Sequence, residues 1–234
     1  MTAAAPPLNI ALVLRRSAGA VAGDFAAILL AGLLLVLLPG LLTRGFGAGA
    51  DADTLFITLR AVCAMLYAAI VSWGVVARWR GRALPPARFL GEGVRHAQPG
   101  LQAALLVGAA VVFGLIIQLY ARHGTVMGWL LDSLLLTAGL WAAAVVMPLV
   151  PVAVVERLGP MAAMQRAAQL TAGSRNQTLA LALLLGLTLA PSAVLAAGAA
   201  GEAGVVARAL FEWLAWSLAA IVPAAVYAGL RGNR

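Results

Sequence analysis

Apolar runs long enough to cross a bilayer alternate along this chain with short stretches where charge returns on one side. The runs cover about 25–42, 57–77, 101–120, 129–155, 178–199 and 207–229. Each comes close to or exceeds the roughly 20 apolar residues that a helix needs to cross about 30 Å of hydrocarbon. They are continuous rather than alternating, so they read as helices, which close all their backbone hydrogen bonds internally. The pattern predicts an all-α polytopic membrane bundle of six transmembrane helices.

The intervening stretches are of two kinds. Residues 43–56 and 121–128 read as loops. Residues 8–22, 84–100 and 160–173 read as helices lying in the interface plane, with one apolar side and one charged side. In the second of these, Phe89, Leu90, Val94 and Ala97 share one side of a helical projection, while Arg88, Glu92, Arg95 and His96 share the other. In the third, Met161, Met164, Ala167 and Ala168 oppose Gln165, Arg166 and Gln169. The sharpest change from span to surface is Pro148–Gly173, which leaves its apolar run at Glu156-Arg157 and turns at Gly159-Pro160.

Composition agrees with this reading. The 234 residues are 63% hydrophobic and 10% charged, with a mean hydropathy of +0.99. A soluble domain carries about 25% charged residues, so water is excluded as the main solvent. The net charge of +8 comes from 16 basic residues, all of them Arg. A basic balance can indicate nucleic acid, but here the arginines flank the spans, so nucleic acid is not an expected partner. Twelve of them fall in the terminal segments and in the connections after spans two and four, and four fall on the other side. By the positive-inside rule both termini are cytoplasmic. Arg15-Arg16 before an apolar block resembles a signal peptide, but the block is too long and reads as a retained first span. Cys63 stands alone and carries no redox information.

Spacings suggest a repeat. Trp141 and Pro148 are seven apart, as are Trp216 and Pro223, and Tyr67 and Gly74 match them about 74 positions earlier. Pro7, Pro86 and Pro160 open the three surface helices. The expected units are 7–82, 86–156 and 160–231, each a surface helix followed by a two-span hairpin. At matching positions Arg82 and Arg231 are basic and Glu156 is acidic, so Glu156 is expected to pair with Arg82 or Arg231 and tie the hairpins together.

Candidate chemistry is sparse. His96 and His123 fall on opposite sides of the membrane, and no HExxH, GxSxG, P-loop or paired-cysteine pattern occurs. No enzyme, metal or cofactor is expected. Asp132 and Glu212 lie about one turn inside spans four and six. They read either as coupling groups, since charge in a membrane is costly, or as interfacial acids paired with Arg122 and Arg208. Trp79, Trp129 and Trp213 read as interfacial anchors, and Trp141 and Trp216 as packing residues. Pro148, Pro151, Pro191 and Pro223 fit bent helices or a lined path equally well.

Pro151, Val155-Glu156, Gly159, Ala163, Arg166, Leu170 and Gly173, with Tyr227, Leu230 and Arg231, resemble the membrane domain attached to some bacterial glycerophosphodiester phosphodiesterases and related stand-alone proteins. The family often has Ser where Ala167 stands here. The resemblance implies a helical bundle in a bacterial inner membrane. It brings no activity, because the phosphodiesterase chemistry of that family belongs to a separate soluble domain. The expected function is a non-catalytic component that organises lipids or other membrane proteins, with Arg88, Arg95, Arg166 and Arg175 as headgroup contacts. The alternative is a permease or lipid-handling transporter.

Overall fold

The computed structural model describes residues 8–46, 50–120, 125–198 and 201–232, apart from the side chains of 43–46, 50–54, 115, 119–120, 188–198, 201–203 and 205. All described elements are helical. Helix α1 (Ile10–Gly23) is capped by Asn9, whose Oδ1 accepts the Leu12 N–H at 3.1 Å. The chain turns at Asp24 into a first span made of α2 (Phe25–Gly32), a π-helical turn (Leu33–Leu37) and α3 (Leu38–Phe46). Then come α4 (Ala50–Trp79), α5 (Pro86–Tyr120), α6 (Val126–Val146), α7 (Leu149–Glu156), α8 (Pro160–Thr171), α9 (Arg175–Gly198) and α10 (Gly201–Gly232).

Among the described residues, five stretches have the length and hydropathy of membrane spans: Phe25–Leu42, Leu55–Trp79, Pro86–Gln118, Val126–Glu156 and Val206–Gly232. The chain is an all-α polytopic membrane bundle. The remaining expected span, 178–199, falls on α9, whose side chains from 188 onward lie outside the described residues.

The structure corrects the pattern in three places. The expected loop 43–56 is helical over 43–46 and 50–56. The surface helix expected at 84–100 is not separate, because α5 runs unbroken through Pro99 into the third span. An internal proline removes a donor and crowds the preceding turn, so packing must hold this helix together. Phe89, Ala97 and Ala103 are buried, and a Cβ at Gly100 would lie 2.2 Å from Val154 and 3.0 Å from Ala69. Val94, expected on the apolar side, is exposed. On α8 the buried face is Ala163, Ala167, Leu170 and Thr171, while Met161 is exposed. Span four does break, between α6 and α7 at Met147–Pro148, whereas α10 continues through Pro223.

Burial is concentrated toward the ends of α4, α7 and α10 where the arginines gather. Buried residues run from Ala64 to Ala77 on α4 and from Ser217 to Leu230 on α10. By contrast Leu105 to Ile116 on α5 and Val126 to Trp141 on α6 present largely exposed apolar side chains, as lipid-facing helices do. Trp141 is therefore not the packing residue expected of it. Trp213 is one, because it meets Phe25 edge to face at 6.3 Å and fills the space over Gly32.

Helices α4, α7 and α10 touch one another pairwise. A polar seam fixes α4 and α10 in parallel register. Arg60 Nε donates to Glu212 Oε1 at 2.8 Å, the Tyr67 and Ser217 hydroxyls lie 2.7 Å apart, and Ser72 donates to the Ala220 carbonyl at 3.2 Å.

Phe89 of α5 packs directly on the α4 backbone at Gly74, where an added Cβ would lie 2.1 Å from the Phe89 ring. Overpacking a filled core costs about 1–3 kcal/mol. Gly74→Val is therefore expected to lower the thermal midpoint in detergent clearly below that of Gly139→Val, whose Cβ meets nothing within 4 Å. Equal midpoints would contradict the α4–α5 packing.

Candidate functional site

The arginine-rich face collects the last turns of α4, α7 and α10 and the first turns of α5 and α9, with α1 and α8 laid across them. Helix C-termini carry partial negative charge, so Arg78 and Arg231 suit the last turns of α4 and α10.

Several arginines there are internal clamps. Arg78 donates to Asp24 Oδ1 at 2.7 Å and to the Gly23 carbonyl at 3.0 Å, fastening the α1–α2 turn to the end of α4. The Asp24 side chain is only 4% exposed, so the pairing meets the need of a buried acid for a counter-charge. Arg82 donates to Glu92 at 3.0 Å. Arg166 Nε donates to Glu156 Oε2 at 3.1 Å.

Glu156 is the hub. Besides Arg166 it accepts the Tyr227 hydroxyl proton at Oε1, at 3.1 Å. Tyr227 in turn accepts from Arg231 Nη1 at 2.8 Å. The carboxylate thus joins α7, α8 and α10. This corrects the expected partner, because the arginine on Glu156 is Arg166. Arg231 reaches it only through Tyr227, and Arg82 is engaged by Glu92. The physical reason lies in the turn. Arg157 takes a left-handed conformation at φ 54° and closes α7, with the Leu158 N–H on the Ala153 carbonyl. That reversal brings Arg166, ten residues downstream, back onto Glu156.

Beside the hub, His96 stacks on Trp73 with ring centroids 4.9 Å apart. Its Nδ1 lies 2.7 Å from the Glu92 carbonyl, and its Nε2 lies 2.7 Å from Arg157 Nη2. A guanidinium only donates, so Nε2 accepts and Nδ1 carries the proton. Trp73, Arg82, Glu92, His96 and Arg157 form a second set of ties between α4, α5 and the α7 turn.

Of the expected headgroup contacts, Arg88, Arg95 and Arg175 are exposed at this face, while Arg166 is turned inward onto Glu156. At the opposite end, Glu212 is held by Arg60 of α4, not by the expected Arg208 one turn away. His123 and Arg122, the partner expected for Asp132, lie outside the described residues, as do the side chains of Asp51 and Asp53.

Next to the hub, a cavity of about 340 Å³ opens between α1 and the ends of α4 and α10. Arg16, Arg80 and Arg231 line it, with Val76, Trp79 and Tyr227. No carboxylate is among the described lining residues. Among the described residues, neither Arg16 nor Arg80 has a carboxylate partner. In sequence, Arg16 and Arg80 read only as charge flanking a span. The seam pairs residues separated by 152, 150 and 148 positions. Arg80 and Arg231 share that register, a signal that needs the helix pairing to be known first.

No family model matches the chain, and neither does any curated protein or solved structure.

Proposed function

We propose that this chain is a non-catalytic membrane component that gathers anionic lipids at its arginine-rich face, and that this face lies in the cytoplasm of a bacterial inner membrane. The observation that carries the reading is a cavity whose described lining holds three arginines and no carboxylate, at the end of the bundle where most arginines collect. Anionic headgroups attract a nearby arginine by about 1 kcal/mol, or roughly a fivefold change in partition each. The structure of span four supports a bend over a lined path. The interruption at Met147–Pro148 lies between buried Val145 and Leu149, so its surroundings are packed.

Purification in native lipid discs, with mass spectrometry of the retained lipid, tests this. Anionic lipids are expected to be enriched over the bulk membrane. Gln at Arg88, Arg95 and Arg175, which are exposed at that face, is expected to reduce the enrichment several-fold. Lipid composition equal to the bulk membrane would sink the proposal.

A further inference from the structure

Building on that reading, we infer that the cavity between α1 and the ends of α4 and α10 binds a phosphate monoester group. Three arginines line it, from three separate elements: Arg16 from α1, Arg80 just past the end of α4, and Arg231 from the last turn of α10. Arginine stays ionised at any physiological pH. The mutual repulsion of these charges is therefore relieved by an anion and not by deprotonation. Elsewhere on the same face the chain supplies its own acids, Asp24 for Arg78, Glu92 for Arg82 and Glu156 for Arg166. Among the described residues, none lines this cavity. The C-termini of α4 and α10 each contribute only about −0.5 of a charge, far less than three full positive charges.

One of the three arginines is oriented in advance. Arg231 donates to Tyr227, which donates to Glu156, which is held by Arg166. Tyr227 is buried at 1% exposure. Orientation fixed before binding lowers the ordering cost when a ligand arrives.

The charge and the number of donors select the anion class. A phosphodiester presents two terminal oxygens and one charge. A monoester presents three oxygens and about −1.5 to −2 charges at neutral pH, and guanidinium forks engage such oxygens in pairs. The volume of about 340 Å³ falls within the roughly 300–1,000 Å³ of small-molecule pockets. Val76 and Trp79 supply apolar lining for the carbon side of the ester. The ester can come from a lipid with a terminal phosphate or from a soluble phosphate, and both satisfy the same groups.

The test uses the full chain in phosphatidylcholine nanodiscs. In one arm the discs carry equal small fractions of phosphatidate and phosphatidylglycerol, and bound lipid is counted by native mass spectrometry. In the other, discs without anionic lipid are titrated with inorganic phosphate in a calorimeter at fixed ionic strength. A lipid source gives retention of phosphatidate over phosphatidylglycerol by about tenfold. A soluble source gives phosphate binding. In the arm that responds, R16Q/R80Q/R231Q abolishes the effect and R88Q/R95Q leaves it. If the triple variant does not fold, R16Q and R80Q singly are each expected to weaken it. The inference is overturned if wild type shows neither effect, or if the cavity variants match wild type. Both anionic lipids retained equally over phosphatidylcholine, without phosphate binding, would overturn it and leave the proposed function standing. Loss of both would remove the two together.

Discussion

Glu156→Ala is expected to destabilise the protein by about 2–3 kcal/mol. The carboxylate serves two partners on two different helices. Arg166 is about a third exposed, with a side-chain exposure of 34%, so solvent screening leaves its ion pair worth about 1 kcal/mol or less. The Tyr227 bond matters more. It joins a buried hydroxyl to a charged acceptor, and hydrogen bonds to charged groups contribute about 1.5–3 kcal/mol. Glu156→Gln keeps an acceptor for Tyr227 and removes the charge, so it should recover about half of the loss. Tyr227→Phe breaks the same chain from the other side. The double change Glu156→Ala with Tyr227→Phe should therefore cost less than the sum of its parts. Unfolding in mixed micelles reads all four variants. A Glu156→Ala protein within about 0.5 kcal/mol of wild type would show that the hub holds nothing together.

This hub also shows how far the chain could be read before its structure. The spans were legible because a bilayer leaves a continuous apolar run no choice but helix. Glu156 was legible as a structural acid, since it is the acidic one of three matching positions whose others, Arg82 and Arg231, are basic. Its partner was not. Matching positions in a suspected repeat identify equivalent places, not contacts, and so pointed to Arg82 and Arg231. The geometry that decides is the left-handed residue Arg157, whose conformation no hydrophobic pattern encodes, and which folds α8 back so that Arg166 arrives first. The passage of α5 through Pro99 was hidden for a related reason. A proline marks a break by its own chemistry, and only the packing of Phe89, Ala97 and Gly100 against α4 and α7 outweighs it. The cavity was the least legible feature. Arg16, Arg80 and Arg231 each read as ordinary flanking charge, and their meeting depends on α1 packing beside the parallel pair α4 and α10.

Arg60→Ala is expected to cost more than Glu212→Ala, although both break the same ion pair. The pair joins α4 to α10 through two contacts, Arg60 Nε to Glu212 Oε1 at 2.8 Å and the Arg60 Nη2 to Glu212 Oε2 approach. About 28 Å of helix separates Arg60 from Trp79 at 1.5 Å per residue, so the pair sits near the opposite interface from the arginine cluster. A lone arginine there can extend its long stem and carry its charge to the headgroups. A lone glutamate has no such reach. Its side chain is 18% exposed against 34% for Arg60, with Gly40 of the first span close by. It is left in poor solvent without its counter-charge. Breaking a buried pair costs about 3–5 kcal/mol, and partial exposure reduces this to roughly 2–3 kcal/mol for Arg60→Ala and 1–2 kcal/mol for Glu212→Ala. Replacing both by Leu removes the charges and keeps apolar volume, so the double variant is expected within about 1 kcal/mol of wild type. Equilibrium unfolding of the three proteins in one micelle composition decides the matter. A double-leucine variant as unstable as Arg60→Ala would mean that the pair contributes specific binding between α4 and α10, and that its loss, not a stranded charge, is what destabilises the bundle.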